Sequence, residues 1–213
     1  SGYRMVRGNQ YELFIDIGQI GASYQPGHAH ADTFNFELYI NNRPFFVDTG
    51  ISTYDLGDLR SNERGTRSHN TVTINGRNSS EVWGGFREGN RARIVNLVEF
   101  PQSIEAMHDG YKSYRLNHQR KWEWSKNEIV ITDRIIGNNQ CEAKAYFHLH
   151  PEISIQKHND GFTINENIEL IMINASVIKI TDYEYAREFN NRYAAKCIEV
   201  DFDNHLITKI TIG

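Results

Sequence analysis

The sequence predicts an all-β protein in which short antiparallel strands pack into a two-layer sandwich. Apolar residues come in short runs, and many alternate with polar residues, the period-two pattern of a half-buried strand. Turn-forming pairs rich in Asn, Asp and Gly separate these runs. No helical period continues beyond about two turns, apart from a weak helix candidate at residues 185–194. Many short strands joined by such turns are typical of a β-sandwich.

The strand pattern can be followed from one end of the chain to the other. No linker, internal repeat or low-complexity segment interrupts it, so we predict one domain over residues 1–213. One long polar segment, residues 50–68, does not fit the pattern. The predicted strands are residues 11–17, 33–40, 44–48, 70–74, 91–100, 103–108, 114–124, 128–136, 141–150, 153–157, 161–164, 168–174, 177–181, 194–201 and 205–212.

Composition narrows the classes of function. With 213 residues and 39% hydrophobic residues, the chain can bury a sizeable core in one domain or two. The net charge of −4 argues against a nucleic-acid surface or a polybasic membrane patch. No apolar run approaches the ~20 residues that span a bilayer. No signal-peptide pattern opens the chain, and its first residue is not Met, so we expect a processed or truncated product.

The two cysteines, Cys141 and Cys197, lie far apart and show no C-x-x-C spacing. A disulfide and two free thiols are both compatible with this arrangement.

A pair of histidines two residues apart is the most informative local feature. His28 and His30 precede the alternating residues of the predicted strand 33–40, and a strand places residues i and i+2 on one face. Farther along, Asp48 closes the predicted strand 44–48, and His69 comes just before strand 70–74. We therefore predict that these side chains meet in one site.

Two histidines and one aspartate from three segments are suited to a zinc ion. Zinc binds imidazole nitrogen and carboxylate oxygen in tetrahedral geometry, and three ligands leave a fourth position open. Another divalent metal would accept the same donors. The second member of the His pair would then be left for chemistry. The alternative is a chance pair, since the chain has 9 histidines and a second H-x-H at His148 and His150, which we interpret as structural.

The polar segment 50–68 is predicted to be a site loop, because its ends lie beside Asp48 and His69. Structureless segments this long are uncommon within a compact domain unless they are functional or disordered. An ordinary surface excursion is the alternative. In or beside the loop, a guanidinium could pair with a sugar carboxylate. The candidate substrate-binding residues are Tyr54, Arg60, Arg64 and Arg67.

Three further residues have both a functional and a plain interpretation. Trp83 could stack on a sugar ring, or it could be part of the core or cover a sheet edge. Asp32 and Glu37 could accept hydrogen bonds that hold His28 or His30 in one tautomer, or be ordinary surface carboxylates.

The order of these motifs resembles a known family. The blocks at residues 26–32, 36–38, 47–50 and 67–72 are similar to those of the β-domain of the heparinase II/III-like polysaccharide lyases, an architecture shared with alginate and oligoalginate lyases. Weaker similarity follows at residues 108–111 and 118–120. The resemblance covers most of residues 1–150.

The resemblance implies a mutarotase-like supersandwich that follows an N-terminal α/α toroid, with the substrate cleft between the two. It implies that His28 is the catalytic histidine and that His30, Asp48 and His69 hold a structural zinc ion. These 213 residues contain no toroid pattern, so we expect them to be inactive alone. The parent protein is expected to be bacterial and either periplasmic or secreted.

The family reaction is β-elimination on an acidic polysaccharide that contains uronic acid. A base removes the C5 proton, an acid protonates the leaving glycosidic oxygen, and a further group neutralises the carboxylate. Histidine suits the base because its ordinary pKa lies near neutrality. In the family, a Tyr acid and an Asn or His that caps the carboxylate come from the toroid.

Two other functions stay open at this point. One is a metal-stabilised carbohydrate-binding module without catalysis. The other, favoured less, is a cupin-like metalloenzyme, which commonly has a Glu after its H-x-H pair. The sequence upstream of this chain would distinguish the first from a lyase, because a helical segment carrying the Tyr and the Asn or His would indicate a complete active site.

Overall fold

The computed structural model describes residues 2–21, 28–158, 161–164 and 167–213. Two predicted features lie partly outside the described residues. They are the start of the motif block at residues 26–32 and the turn between the predicted strands 153–157 and 161–164. Strands dominate the fold, and the ladders between them are antiparallel, so the predicted all-β antiparallel class is confirmed. The strands are β1 (Tyr3–Arg7), β2 (Tyr11–Asp16), β3 (Phe36–Ile40), β4 (Arg43–Phe46), β5 (Val72–Ile74), β6 (Glu81–Trp83), β7 (Arg87–Gly89), β8 (Ile94–Phe100), β9 (Ser103–His108), β10 (Leu116–Trp124), β11 (Glu128–Gly137), β12 (Ala143–His148), β13 (Ile155–His158), β14 (Gly161–Ile164), β15 (Ile168–Ile173), β16 (Val177–Glu188), β17 (Asn191–Phe202) and β18 (His205–Ile212).

One layer of the sandwich is an eight-stranded sheet, and the other is made of two joined four-stranded sheets. The large sheet has the order β13-β14-β15-β18-β11-β10-β9-β8. The smaller sheets have the orders β1-β2-β3-β4 and β16-β17-β12-β5. They meet where β4 runs beside the end of β12: the Val47 N–H donates to the His148 carbonyl at 2.9 Å, and the His150 N–H donates to the Phe45 carbonyl at 2.9 Å.

Buried side chains from both layers form one core, which explains the alternation seen in the sequence. In β2, Tyr11, Leu13 and Ile15 are buried, while the residues between them are partly exposed. Such alternation is expected where one face of a strand packs on a core and the other faces water. Across the sandwich, the Phe34 ring contacts the Trp122 ring of β10, with centroids 5.6 Å apart.

Two parts of the fold differ from the sequence prediction. The helix predicted at residues 185–194 is wrong, because that stretch forms the tip of a long β16–β17 hairpin. Its turn has Asn190 in the left-handed region, at φ 63°, a conformation that Asn tolerates better than most residues. Strand β1 and the short β6–β7 hairpin were not predicted at all.

The segment 50–68 is also more regular than predicted. It contains a short helix, α1 (Asp58–Glu63), and a 3-10 turn at Thr66–Ser68. A second 3-10 turn lies at Lys112–Tyr114. Within the described residues, neither cysteine is in a disulfide, and no helix is long and apolar enough to cross a membrane.

Candidate functional site

The two histidines of the H-x-H pair have different surroundings. They lie before β3, which begins at Phe36 rather than at the predicted residue 33, so the period-two argument does not apply to them. His28 is exposed, and its ring lies edge-on to the Tyr54 ring with centroids 5.9 Å apart. His30 is buried, and its ring centroid is 5.3 Å from that of His69. The structure therefore places one histidine at the surface and the other inside.

His69 and Asp48 form the closest pair in the site. The Nδ1 atom of His69 lies 2.7 Å from Oδ2 of Asp48, which also accepts a hydrogen bond from the Asn35 amide at 2.8 Å. Burial by itself would lower the pKa of His69, but the Asp48 carboxylate outweighs that effect and raises the pKa. Burial likewise opposes the charged form of Asp48, yet His69 holds the Asp48 pKa well below its usual range.

His30 lies beside a buried arginine. The Nη1 atom of Arg60 is 3.4 Å from Nε2 of His30, and the Tyr54 ring covers the Arg60 guanidinium at 5.1 Å. Burial, with help from the positive charges of His69 and Arg60, lowers the pKa of His30 to about 3, so its ring is neutral. Nε and Nη2 of Arg60 are buried and have no hydrogen-bond partner among the described residues. Buried guanidinium nitrogens without a partner are costly, so these two atoms indicate room for a further anionic or polar group.

Arg64 has a different environment from Arg60, although both side chains are fully buried. Its guanidinium donates to the carbonyls of Ala29, at 3.0 and 3.1 Å, of Gly84, at 3.1 Å, and of Arg87, at 3.1 Å. The bonds to Ala29 fasten the segment 50–68 to the stretch that carries His28 and His30, and the other two fasten it to the β6–β7 hairpin. The predicted contact of Arg64 with substrate stays a prediction, and it would require Arg64 to give up these bonds.

The site entrance, by which we mean the surface at His28 and Tyr54, is lined by exposed aromatic rings. Tyr54, 39% exposed, stacks near Phe86 of the β6–β7 turn, with centroids 6.2 Å apart, and near Phe189 of the β16–β17 turn, at 5.6 Å. Phe86 and Phe189 are 47% and 54% exposed. Trp83 is also exposed, on β6, and is not part of the core. The aromatic surface at Tyr54 therefore extends across the tips of the β6–β7 and β16–β17 hairpins. The sequence did not predict that these tips would lie together.

Arg67 lies on another side of the same segment. It is exposed and lines a groove of about 340 Å³ together with Tyr146, His148 and Tyr183. His148 of the second H-x-H pair is buried, and its Nδ1 lies 3.2 Å from Oδ1 of Asn70, as a structural role would require. The structure thus brings Tyr54 and Arg60 to the His28 side of the site and Arg67 to this groove.

The donor types at His30, Asp48 and His69 suit zinc, but their arrangement is that of a hydrogen-bonded cluster. No three His, Cys, Asp or Glu side chains among the described residues are grouped as ligands for a metal. Nε2 of His69 is nevertheless buried without a partner in the described part of the chain. An imidazole nitrogen left in this way can accept a metal ion or a proton donor. Among the described residues, Nε2 of His69 is therefore available as a metal ligand, and the zinc site stays a prediction.

Asp32 and Glu37 were proposed to orient His28 or His30. The carboxylate that contacts a site histidine is that of Asp48, which lies against His69. Glu37 accepts a hydrogen bond from the Tyr39 hydroxyl at 3.4 Å. Burial raises the pKa of Asp32 to about 7, with the negative charges of Asp16 and Asp48 adding to the effect.

Asn70 and Asn35 connect the site to its scaffold, and neither was predicted from the sequence to have a role there. The Asn70 N–H donates to Oδ1 of Asn35 at 2.8 Å, and the Asn35 amide in turn donates to Asp48. The signal was available in part, because Asn70 directly follows His69 in the block at residues 67–72.

The sandwich has the fold that is found in solved heparinase structures. The solved structure of heparinase III has a TM-score of 0.76 and 20% sequence identity, and the match covers 99% of this chain and 35% of that one. The heparan sulfate lyase of Pedobacter heparinus has a TM-score of 0.71 at 19% identity, covering 100% of this chain and 35% of that one. At such identities, these matches show the fold alone.

The chain belongs to the heparinase II/III-like family, whose C-terminal domain model matches residues 1–209. A curated relative, the heparin-sulfate lyase of Bacteroides thetaiotaomicron, is 32% identical over 127 residues, which is 57% of this chain and 17% of that enzyme. The resemblance read from the motifs is thus confirmed. The chain spans less than a fifth of the length of that relative.

Proposed function

We propose that this chain is the β-sandwich domain of a lyase that cleaves a uronic-acid-containing glycan by β-elimination. Heparan sulfate is the favoured substrate class, because the curated relative is named a heparin-sulfate lyase. Membership in the heparinase II/III-like family supports the lyase context. In the intact protein, the substrate would lie between this domain and the N-terminal toroid that the family resemblance implies.

The single observation that carries the proposal is the exposure of His28. A base must reach the C5 proton of a bound sugar, and His28 is the member of the histidine cluster that faces solvent. Its ring lies against Tyr54, whose exposed face extends toward Phe86 and Phe189. Aromatic rings present an apolar surface to the C–H face of a sugar, so this entrance suits a glycan chain.

The positive charge of Arg60 supports an acidic substrate. Its guanidinium lies behind the Tyr54 ring and has Nε and Nη2 unpaired among the described residues. A carboxylate or sulfate group near Tyr54 would gain attraction from this charge, and a shift of the Tyr54 ring would allow direct hydrogen bonds. Neutralising the uronate carboxylate makes the C5 proton more acidic, which the elimination requires.

We also propose that His30, Asp48 and His69 bind a structural zinc ion. Support comes from the proximity of the two rings, from the contact of Asp48 with His69, and from the unpaired Nε2 of His69. A bound zinc would crosslink the two ends of the segment 50–68. The proton transfer itself is assigned to His28, with the acid expected from the toroid.

The experiment measures unsaturated uronate by its ultraviolet absorbance, with the intact protein acting on heparan sulfate, heparin and alginate. Formation of unsaturated product from heparan sulfate is expected, and residues 1–213 alone should give none. Product from alginate and not from heparan sulfate would retain the elimination and overturn the substrate class. Retention on a heparan sulfate column without product would favour the carbohydrate-binding module.

A matched pair of variants tests the site. His28→Ala should abolish product formation, whereas His150→Ala changes a partly exposed histidine of the second H-x-H pair and should leave it intact. Full activity in His28→Ala would contradict the proposed base.

A further inference from the structure

A buried ion pair lies in the middle of the eight-stranded sheet, away from the site. On β10 and β11, Nε of Arg120 lies 2.7 Å from Oδ1 of Asp133, and Nη2 lies 3.0 Å from Oδ2. Both side chains are completely buried. Such two-point pairing fixes the plane of the guanidinium. The remaining nitrogen, Nη1, donates across the sandwich to the carbonyls of Phe34, at 2.9 Å, and Asn70, at 2.6 Å.

Two buried histidines support the carboxylate of this pair. Nδ1 of His108 accepts the Gly110 N–H at 3.1 Å, so the proton of the neutral ring must be on Nε2. That proton is donated to Nδ1 of His118, at 3.2 Å, and His118 then donates from Nε2 to Oδ1 of Asp133, at 2.6 Å. The chain of hydrogen bonds runs in one direction and satisfies each ring nitrogen. Burial, which lowers the pKa of both histidines, is consistent with neutral rings.

The first carbonyl that Arg120 holds belongs to a residue with an unusual backbone. Phe34 has a φ of 70°, a value that is a genuine outlier for a bulky side chain. Its buried ring packs against His108, with centroids 4.8 Å apart, and His118, at 5.3 Å. Phe34 lies between His30 and the start of β3, so its conformation sets the direction in which the histidine segment leaves the sheet.

The second carbonyl belongs to Asn70, in which every polar group is hydrogen-bonded. Its amide nitrogen donates to the carbonyls of Phe36, at 2.8 Å, and Val47, at 3.0 Å, and its Oδ1 accepts the His148 N–H at 2.7 Å. Its own N–H donates to Asn35, which holds Asp48. Asn70 thus joins β3, β12 and the residue before Asp48, and it directly follows His69.

We infer that Asn70 and Arg120 are positioning residues, which transmit the rigid geometry of the core to His30, Asp48 and His69 without touching the substrate. The inference rests on the proposed function, because it takes the segment that carries His28 and His30 to be the one that supplies the base. Each segment of the site is held close in sequence to its functional side chain: at Phe34, four residues after His30, at Val47, just before Asp48, and at Asn70, just after His69. Small displacements of a catalytic group are costly to the reaction step, while remote binding contacts are preserved.

The test uses the intact protein with Asn70→Asp, which keeps the shape of the side chain but removes both amide donors. Asn35→Ala is the milder second variant, because it cuts only the link between Asn70 and Asp48. The control is Ile210→Ala, a buried apolar residue of β18. Two readouts are compared: the NMR signals of the His30 and His69 rings, and the separate values of kcat and KM on heparan sulfate.

In Asn70→Asp and Asn35→Ala, both ring signals should shift, and kcat should fall about tenfold or more while KM stays within about twofold. Ile210→Ala should lower Tm and leave ring signals and kcat unchanged. If Asn70→Asp does not fold, Asn35→Ala alone decides. Ring signals and kcat that change only as much as in the control would overturn the inference. Shifted ring signals in a protein that yields no product would uphold the positioning role and reject the proposed lyase activity.

Discussion

Two buried clusters in this protein use the same types of residue and differ in how completely they are satisfied. The core cluster consists of His108, His118, Arg120 and Asp133; the site cluster consists of His30, Asp48, Arg60 and His69. In the core cluster, every guanidinium and imidazole nitrogen has a partner on another member of the cluster or on the main chain. In the site cluster, the atoms without a partner among the described residues are Nε and Nη2 of Arg60 and Nε2 of His69.

Two buried polar clusters can be distinguished as structural or functional by how many of their polar atoms are paired. A satisfied network is part of the framework, and removing one member leaves the others unpaired. An unsatisfied network accepts a loss of stability that only a further partner can remove. By this criterion, the site cluster has nitrogens to which the proposed ligand or metal could bind, whereas those of the core cluster are already paired.

The largest effect is expected at His28, on the exposed side of the site cluster. His28→Ala should reduce kcat by about 10²- to 10⁴-fold, the usual contribution of a general base, while Tm changes little because the side chain is exposed. Steady-state kinetics and a thermal melt on the intact protein provide the two measurements. A large loss of Tm with unchanged kcat would place His28 in the framework instead.

The two buried arginines should respond to the same substitution with different effects on stability. Arg120→Met should cost about 3–5 kcal/mol of unfolding free energy, because it leaves the buried Asp133 carboxylate without its cation. Arg60→Met should leave stability unchanged or raise it, because it removes a buried charge with two nitrogens that have no partner among the described residues, and should weaken substrate binding. Urea unfolding measures both. Equal losses in the two variants would remove the distinction between the clusters.

Metal binding is expected in the site cluster and not in the core cluster. Elemental analysis should find one zinc per chain in the wild type and none in His30→Ala, with His150→Ala as the control. The stabilisation should be smaller than the ~3 kcal/mol of a crosslink closing a loop of this size, because Arg64 already fastens the segment. Zinc retained in His30→Ala, or a Tm unaffected by a chelator, would contradict the site.

The smallest effect concerns pH. Burial lowers the pKa of His148 to about 3, whereas the unfolded value is about 6.5, so the unfolded chain binds a proton that the folded chain does not. Its contribution to stability is therefore present above pH ~6.5 and lost as the pH falls below it, by about 1.4 kcal/mol per pH unit. Asp32, with its pKa raised to about 7, acts in the opposite direction between its unfolded pKa of about 4 and 7.

His148→Gln isolates this contribution. Urea unfolding between pH 5 and pH 6.5 should show a pH dependence reduced by about one proton relative to the wild type. An unchanged slope would mean that His148 is charged in the folded protein.

The strand pattern could be predicted from sequence because alternation depends on local order along the chain, whereas the convergence of the site followed only from the order of its motifs. Alternation in β2 and β3 records which side faces the core, and His30, Asp48 and His69 flank strands that pair or pack together. The opposite environments of Arg60 and Arg64 could not be predicted, because they depend on which carbonyls reach each guanidinium. Residues 185–194 were mistaken for a helix because nothing local shows that β16 and β17 continue to the tip of their hairpin.

The bonds of Asn70 have a consequence for the order of folding. His28, His30, Asp48 and His69 all lie in the first third of the chain, but Asn70 is held by Arg120 and by the main chain of His148. During synthesis, residues 28–69 would leave the ribosome before Arg120 and His148, the groups that fix Asn70. Contacts between segments so far apart form slowly. The site should therefore become ordered only after β10 and β12 have joined the sandwich, as one of the last events in folding.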